Sequence, residues 1–350
     1  MRRVSGEYAL LSGRLQADPS VYSDPVRPPA AGAGLIAGMM FVLASTAGLP
    51  ARSRSSVTPL SQMTDSLTAN VAAIVKGFRG QMGVAAINLR TGATVEVGAD
   101  FRFPTASTIK TAVMVEAWQQ AADGRLTMET TIPLEARHKV GGAGVLRSMR
   151  DGLTLSIADL VHLMIALSDN TATNMLIEKV GTARVNAGLE RHGLHEIKLF
   201  RPTFRDGRPD VLPELEREYG LGMTTPRDMA RLMALIAEGK AVNKAASEAM
   251  LATLRRQQDR AMIPREIDGD GIQIGNKTGT DEEKQAGADG RKRHVRGDAA
   301  IVTGPNLSYV IAIHTRQVED MRWGVDNDAL VTGARISKVI FDGFSQRAER

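Results

Sequence analysis

The spacing of hydrophobic positions changes twice along the chain. Leu67, Val71, Ile74 and Phe78 recur at helical spacing, with Thr64 placed to cap that helix. GVAAINL and TVEV follow, joined by RTGA, which predicts a β-hairpin with a glycine in its turn. From Pro104 to about Gly239 the pattern is almost wholly helical. It predicts helices over 105–122, 156–167, 171–180 and 182–192. A further helix opens at Thr225-Pro226, with the threonine as cap and the proline in its first turn. Strands return late as GIQIGNKTG, GDAAIVTG and LSYVIAIHT, and a helix over 327–344 closes the pattern. Strands near both ends and helices between them predict an α/β fold. One antiparallel sheet, built from early and late segments, is covered by the terminal helices. An all-α part (about 104–239) is inserted between strands two and three, and the α/β part takes about 64–103 and 240–346.

The first 56 residues read differently. No residue between Arg27 and Arg52 is charged, a run of 24 positions. Its strongly apolar part, 35–44, has the length of a signal-peptide core, and Ser45, Ala47 and Pro50-Ala51 offer small residues for cleavage. An uncleaved single N-terminal membrane anchor is the other reading. Either one puts the body, expected over 57–350 after a linker, outside the cytoplasm: periplasmic, extracellular or membrane-anchored facing outward.

Composition narrows the function classes. Hydrophobic residues make up 43% and charged residues 24% of the 350, which excludes disorder for most of the chain. Cysteine is absent, so there is no disulfide framework, thiolate nucleophile or cysteine zinc site. Lys and Arg total 44 against 39 Asp and Glu, a net charge of +5 and a pI near 9.5. The basic residues are scattered, aromatics are only 4%, and no nucleic-acid motif occurs, so no nucleic-acid partner is expected. The dense run at Arg291–Arg293, His294 and Arg296 reads as a solvated hairpin loop. The six histidines include no H-E-x-x-H, so neither a metal site nor a cofactor is expected. The expected state is a monomer.

Three short motifs carry the candidate chemistry. Ser107-Thr108-Ile109-Lys110 sets a hydroxyl and an amine three residues apart, on one helix face. A serine nucleophile needs an adjacent base, and a lysine serves as one at neutral pH only if desolvated or flanked by another cation. The turn's N–H groups can hold an oxyanion. Alone, this pattern is expected about once by chance in a chain this long. Ser168-Asp169-Asn170 follows an apolar helix. Its plain reading is helix capping; its functional reading has Ser168 relay a proton to a leaving nitrogen while Asn170 orients Lys110 and a substrate amide. Lys277-Thr278-Gly279 ends an Ile- and Gly-rich strand. Gly279 would let a substrate backbone lie close, and Thr280 would supply a backbone N–H to the oxyanion. The plain reading is an edge strand with a gatekeeper lysine.

Together the motifs say more than each alone. They occur in this order, 61 and then 109 residues apart. The chain resembles the class A β-lactamase family, and more loosely the penicillin-recognising serine enzymes, over roughly 65–345. SDNTATNMLI, TTPRDMARL and Arg296-Gly297 extend the likeness. The resemblance implies a two-part fold with the site between the parts. It implies acyl transfer through Ser107 with Lys110, Ser168 and Lys277, acting on a β-lactam or a cell-wall peptide, and it gives Arg296 the substrate carboxylate. It also exposes departures. The E-x-x-L-N pattern that carries the family's general-base glutamate is missing. Matching Pro213-Glu214-Leu215 to it puts Leu212 at the base position. Asp210, Glu214, Glu216 and Glu218 are nearby acids, none at the expected spacing. The family's aromatic gate ahead of the second motif has no counterpart in VGGAGVL (140–146). The enzyme expected is therefore a β-lactamase of the class A type that opens the β-lactam amide through an acyl-Ser107 intermediate, and a slow one if no base is placed for deacylation. The alternatives are a D-alanyl-D-alanine peptidase or esterase, or a penicillin-binding sensor without turnover.

Overall fold

The computed structural model describes residues 60–287 and 289–345. The apolar segment at 35–44 lies outside them. Among the described residues no helix is long and apolar enough to cross a membrane.

The described residues open with α1 (Leu60–Lys76), β1 (Gln81–Asn88) and β2 (Thr94–Val97). The first helix starts four residues ahead of Thr64, which is therefore internal, and Phe78 falls just past its end. The helical middle holds α2 (Lys110–Ala122), α3 (Ile157–Ala166), α4 (Asn170–Val180), α5 (Thr182–Arg191), α6 (Pro213–Tyr219) and α7 (Pro226–Ala237). Five strands of two or three residues interrupt it: β3 (Phe103–Pro104), β4 (Thr131–Pro133), β5 (Thr154–Ser156), β6 (Lys198–Leu199) and β7 (Gly222–Thr224). None of these, nor α6, stands out in the hydrophobic pattern, since elements this short span too few positions to show a period. After α8 (Lys244–Leu254) come β8 (Gln273–Glu282), β9 (His294–Gly304), β10 (Leu307–Val318) and α9 (Asp328–Ser345).

The main sheet is antiparallel in the order β2-β1-β10-β9-β8, so early and late strands meet as the pattern predicts. Period-two alternation divides its residues. Val84, Ala86, Ile311 and Ile313 face α1 and α9, where Leu67, Val71, Ile336, Ile340 and Phe344 complete one core. Ala85, Val310, Ala312, Ala299 and Ile301 face a larger core shared with α2, α3, α4 and α7. Both faces are covered, which is why Met82–Ala86 is continuously apolar and buried.

Local signals set the helix starts. Ser156 accepts from Asp159 N and Asp159 reaches back, a capping box for α3. Thr225 caps α7 ahead of Pro226. The predicted helix over 105–122 divides. Residues Ala106–Ile109 form a 3₁₀ turn, and the α-helix proper begins at Lys110. Ala106 takes a left-handed φ of 44°, which tightens the entry to that turn.

Candidate active site

Ser107 lies half-buried on the 3₁₀ turn, at one wall of a cleft of about 610 Å³. Strand β8 passes directly behind it. A Cβ on Gly279 would sit 2.7 Å from Thr105 O, 3.2 Å from Ala106 Cβ and 3.2 Å from Ser107 N. Only glycine lets strand and turn approach so closely, and the approach sets the Ser107 N–H beside the strand edge carrying Thr280. Thr278 and Thr280 also line the cleft.

Lys110 is fully buried one helical turn on. Its Nζ donates to Ser168 O at 2.7 Å and Asn170 Oδ1 at 2.7 Å, and lies 3.1 Å from Ser168 Oγ. Lys277, also fully buried, donates to Thr278 O at 2.8 Å and to Ser168 Oγ at 3.1 Å. One hydroxyl thus bridges two amines. Ser168 takes a left-handed φ of 56°, which turns both its carbonyl and its hydroxyl toward Lys110. Such strain persists only where the surroundings hold it. Asp169 supplies the hold: it caps α4 through Ala172 N and accepts from the N–H groups of Val145 and Leu146. Capping and site-building are therefore served by the same tripeptide. Asn170 completes the clamp by donating to Gly141 O at 3.1 Å.

Electrostatics follow from the burial. Desolvation, helped by the neighbouring Lys277 cation, pulls Lys110 well below its ordinary range, against a smaller pull upward from Asp169. Burial lowers Lys277 to about 8, opposed by Asp298 and Asp259. A neutral Lys110 has two N–H groups, which its contacts to Ser168 O and Asn170 Oδ1 use. Its lone pair is then left to take a proton.

Other expected residues lie elsewhere. Arg296 is buried rather than part of a solvated loop. Its guanidinium donates to Val295 O, contacts His294 Nδ1 at 3.2 Å and lies 4.9 Å from the centre of the Trp323 ring. It does not line the cleft. Leu212 is 40% exposed at the start of α6 with a left-handed φ of 50°, also off the cleft. The four neighbouring acids are engaged or turned away. Asp210 accepts from Thr182 Oγ1 at 2.5 Å, Glu216 from Arg201 at 2.7 Å, and Glu218 from Arg316 at 3.3 Å. Glu214 is exposed in a separate surface groove. The acids that do line the cleft are Asp206, Asp259, Asp281 and Glu282. Asp206 is held by Arg201 and by Lys284. Two exposed aromatic rings, Phe204 and Trp323, also line the cleft. Neither belongs to a motif. The one available signal is a large ring within a polar stretch (TFRDG, MRWGV) of an aromatic-poor chain.

A serine at a helix entry, sharing its cleft with a second serine that bridges two desolvated lysines, defines a serine hydrolase of the penicillin-recognising class. The chain belongs to the β-lactamase enzyme family, whose model matches residues 66–344. Among solved structures it is similar to a β-lactamase from Sphaerobacter thermophilus DSM 20745 (31% identity, TM-score 0.67, 80% of this chain and 98% of that one). It is also similar to a point mutant of PBP-A in its acyl-enzyme complex with penicillin-G (27% identity, TM-score 0.65, 83% and 98%). Of curated relatives, β-lactamase L2 of Stenotrophomonas maltophilia is 31% identical over 140 residues, which is 40% of this chain and 44% of that enzyme. The protein is a serine hydrolase of the class A type, with the antiparallel sheet and flanking helices of that fold.

Proposed function

We propose that the protein opens β-lactam amides through an acyl-Ser107 intermediate and releases the acyl group slowly. Ser107 Oγ attacks the lactam carbonyl carbon as its proton passes to Lys110 Nζ. The N–H groups of Ser107 and Thr280 take the charge on the carbonyl oxygen. The C–N bond breaks, Ser168 Oγ gives its proton to the leaving nitrogen, and Lys110 returns a proton to Ser168. An ester and an amine result, with both serines and the lysine accounted for. Lys277 keeps a cation beside Ser168, and Asn170 holds Lys110 and the substrate amide. The single observation that carries this reading is the Lys110–Ser168–Lys277 chain beside Ser107.

Deacylation needs a placed base to activate water, a step worth about 10²–10⁴-fold. Leu212 cannot take a proton, and its four acidic neighbours point elsewhere. The same Lys110–Ser168–Lys277 chain would also serve a second reading, a D-alanyl-D-alanine peptidase. We place the body, residues 57–350, outside the cytoplasm as a monomer, on the strength of the apolar run over 28–51. Its α/β part would hold 64–103 and 240–346 and its all-α part 104–239.

Intact mass followed over time after mixing with a penicillin tests the proposal. An increase of one whole penicillin, lasting hours and absent from Ser107→Ala, is the expected result. Decay within seconds would refute slow release. No adduct on folded protein would refute acylation.

A further inference from the structure

Two exposed aromatic rings line the Ser107 cleft, and buried polar groups fix the backbone beside each. Phe204 is 55% exposed and takes a left-handed φ of 56°, unusual for a bulky residue. Its chain is clamped on the N-terminal side. Thr203 N donates to Asn174 Oδ1 at 2.8 Å, Thr203 Oγ1 to the same oxygen at 2.9 Å, and Asn174 Nδ2 to Thr203 O at 3.2 Å. Two residues earlier, buried Arg201 bonds Glu216 and Pro202 O. The ring tip lies over Gly142. A Cβ there would meet Asn170 Nδ2 at 2.6 Å and Phe204 Cζ at 2.9 Å, so the ring and the site amide flank one point. Trp323, 59% exposed, is fixed in a different way. Its ring lies 4.3 Å from the His294 ring and 4.9 Å from the Arg296 guanidinium, and Asn327 ties down the adjoining backbone at Asp320 O and Arg322 O.

Exposed apolar rings cost solubility and a left-handed phenylalanine costs strain, so their placement at the cleft asks for a ligand. We infer that Phe204 is a specificity residue that stacks on an aryl ring in the acyl side chain of the substrate. Trp323 adds apolar surface to the same cleft, and Arg296, 4.9 Å from its ring centre, acts as its positioning residue. The inference rests on the acyl-transfer reading for its substrate class. Asn170 can hold the side-chain amide, and an arylacetyl group extends from that amide toward the ring beside it. A pre-set ring gives contact area at little entropic cost.

The test compares benzylpenicillin with the penicillin nucleus that lacks an acyl side chain, aminopenicillanic acid. Binding is measured first by equilibrium titration on Ser107→Ala, where no acylation interferes. Benzylpenicillin is expected to bind about tenfold more tightly. Phe204→Ala in that background should bring the ratio close to one, Phe204→Leu should keep part of it, and melting should stay as in the parent. Equal binding of the two compounds, or a preference that survives Phe204→Ala, overturns the inference. Acylation of the wild-type serine is measured separately. A binding preference without any adduct would remove the acyl-transfer reading and leave the aryl site standing. Adducts from both compounds at equal rates, with equal binding, would do the reverse.

Discussion

Gly279→Ala should slow acylation far more than it harms the fold. The added carbon would sit 2.7 Å from Thr105 O and 3.2 Å from both Ala106 Cβ and Ser107 N. Carbon contacts settle at about 3.5–4.0 Å, so strand β8 and the Ser107 turn must separate by roughly 0.5–1 Å. The neighbours are backbone atoms and a methyl group, so no flexible side chain can yield. Overpacking of this kind costs about 1–3 kcal/mol, which predicts a melting temperature lowered by roughly 2–10 °C in a domain this large. The site is more sensitive. A displacement of about 1 Å at reacting groups can cost about 10²-fold, and losing one oxyanion donor costs about 10²–10³-fold. The assay is the rate of adduct formation with benzylpenicillin by rapid-quench intact mass, run beside thermal melting. Acylation within about threefold of wild type would refute the argument, because the Ser107 N–H would then not depend on the strand edge.

Lys277, lowered to about 8, is a cation below that pH and neutral above it. Acylation efficiency should therefore fall on the alkaline side with a midpoint near 8, and Asp298→Asn, which removes a charge that holds Lys277 up, should move that midpoint downward in a pH–rate profile. Glu216→Ala leaves buried Arg201 with Asp206 as its remaining ionic partner and frees Gly207 N, so denaturant unfolding should show a loss of about 1–3 kcal/mol. Leu212→Glu, at an exposed position off the cleft, should leave the adduct lifetime within about threefold of wild type, and a markedly faster decay by intact mass would show that the α6 start swings to Ser107.

What was legible in the chain was whatever depends on neighbours in sequence. Hydrophobic period places the long strands and helices because one face of each must be buried. Thr225-Pro226 and Ser156–Asp159 announce their helices because a cap acts within one turn. The three motifs are legible as a set, and the sheet order then brings Lys277 to Ser168 across 109 residues. Arg296 shows where this reach ends. Its position beside Gly297 is plain in the sequence, but a long guanidinium side chain can turn to any acceptor or ring within its reach. Here it meets Val295 O, His294 and the ring of Trp323, which stands on a loop after β10 with no periodic pattern. Leu212 shows the same limit in reverse: its sequence neighbours place it at a base position, while its left-handed backbone and exposure take it off the cleft. Motifs name the atoms that react because those atoms sit on a helix or strand or within two residues of a helix end. The loops choose what those atoms meet, and a loop's course is decided by contacts such as Asn174 with Thr203, 29 residues apart, that no local pattern encodes.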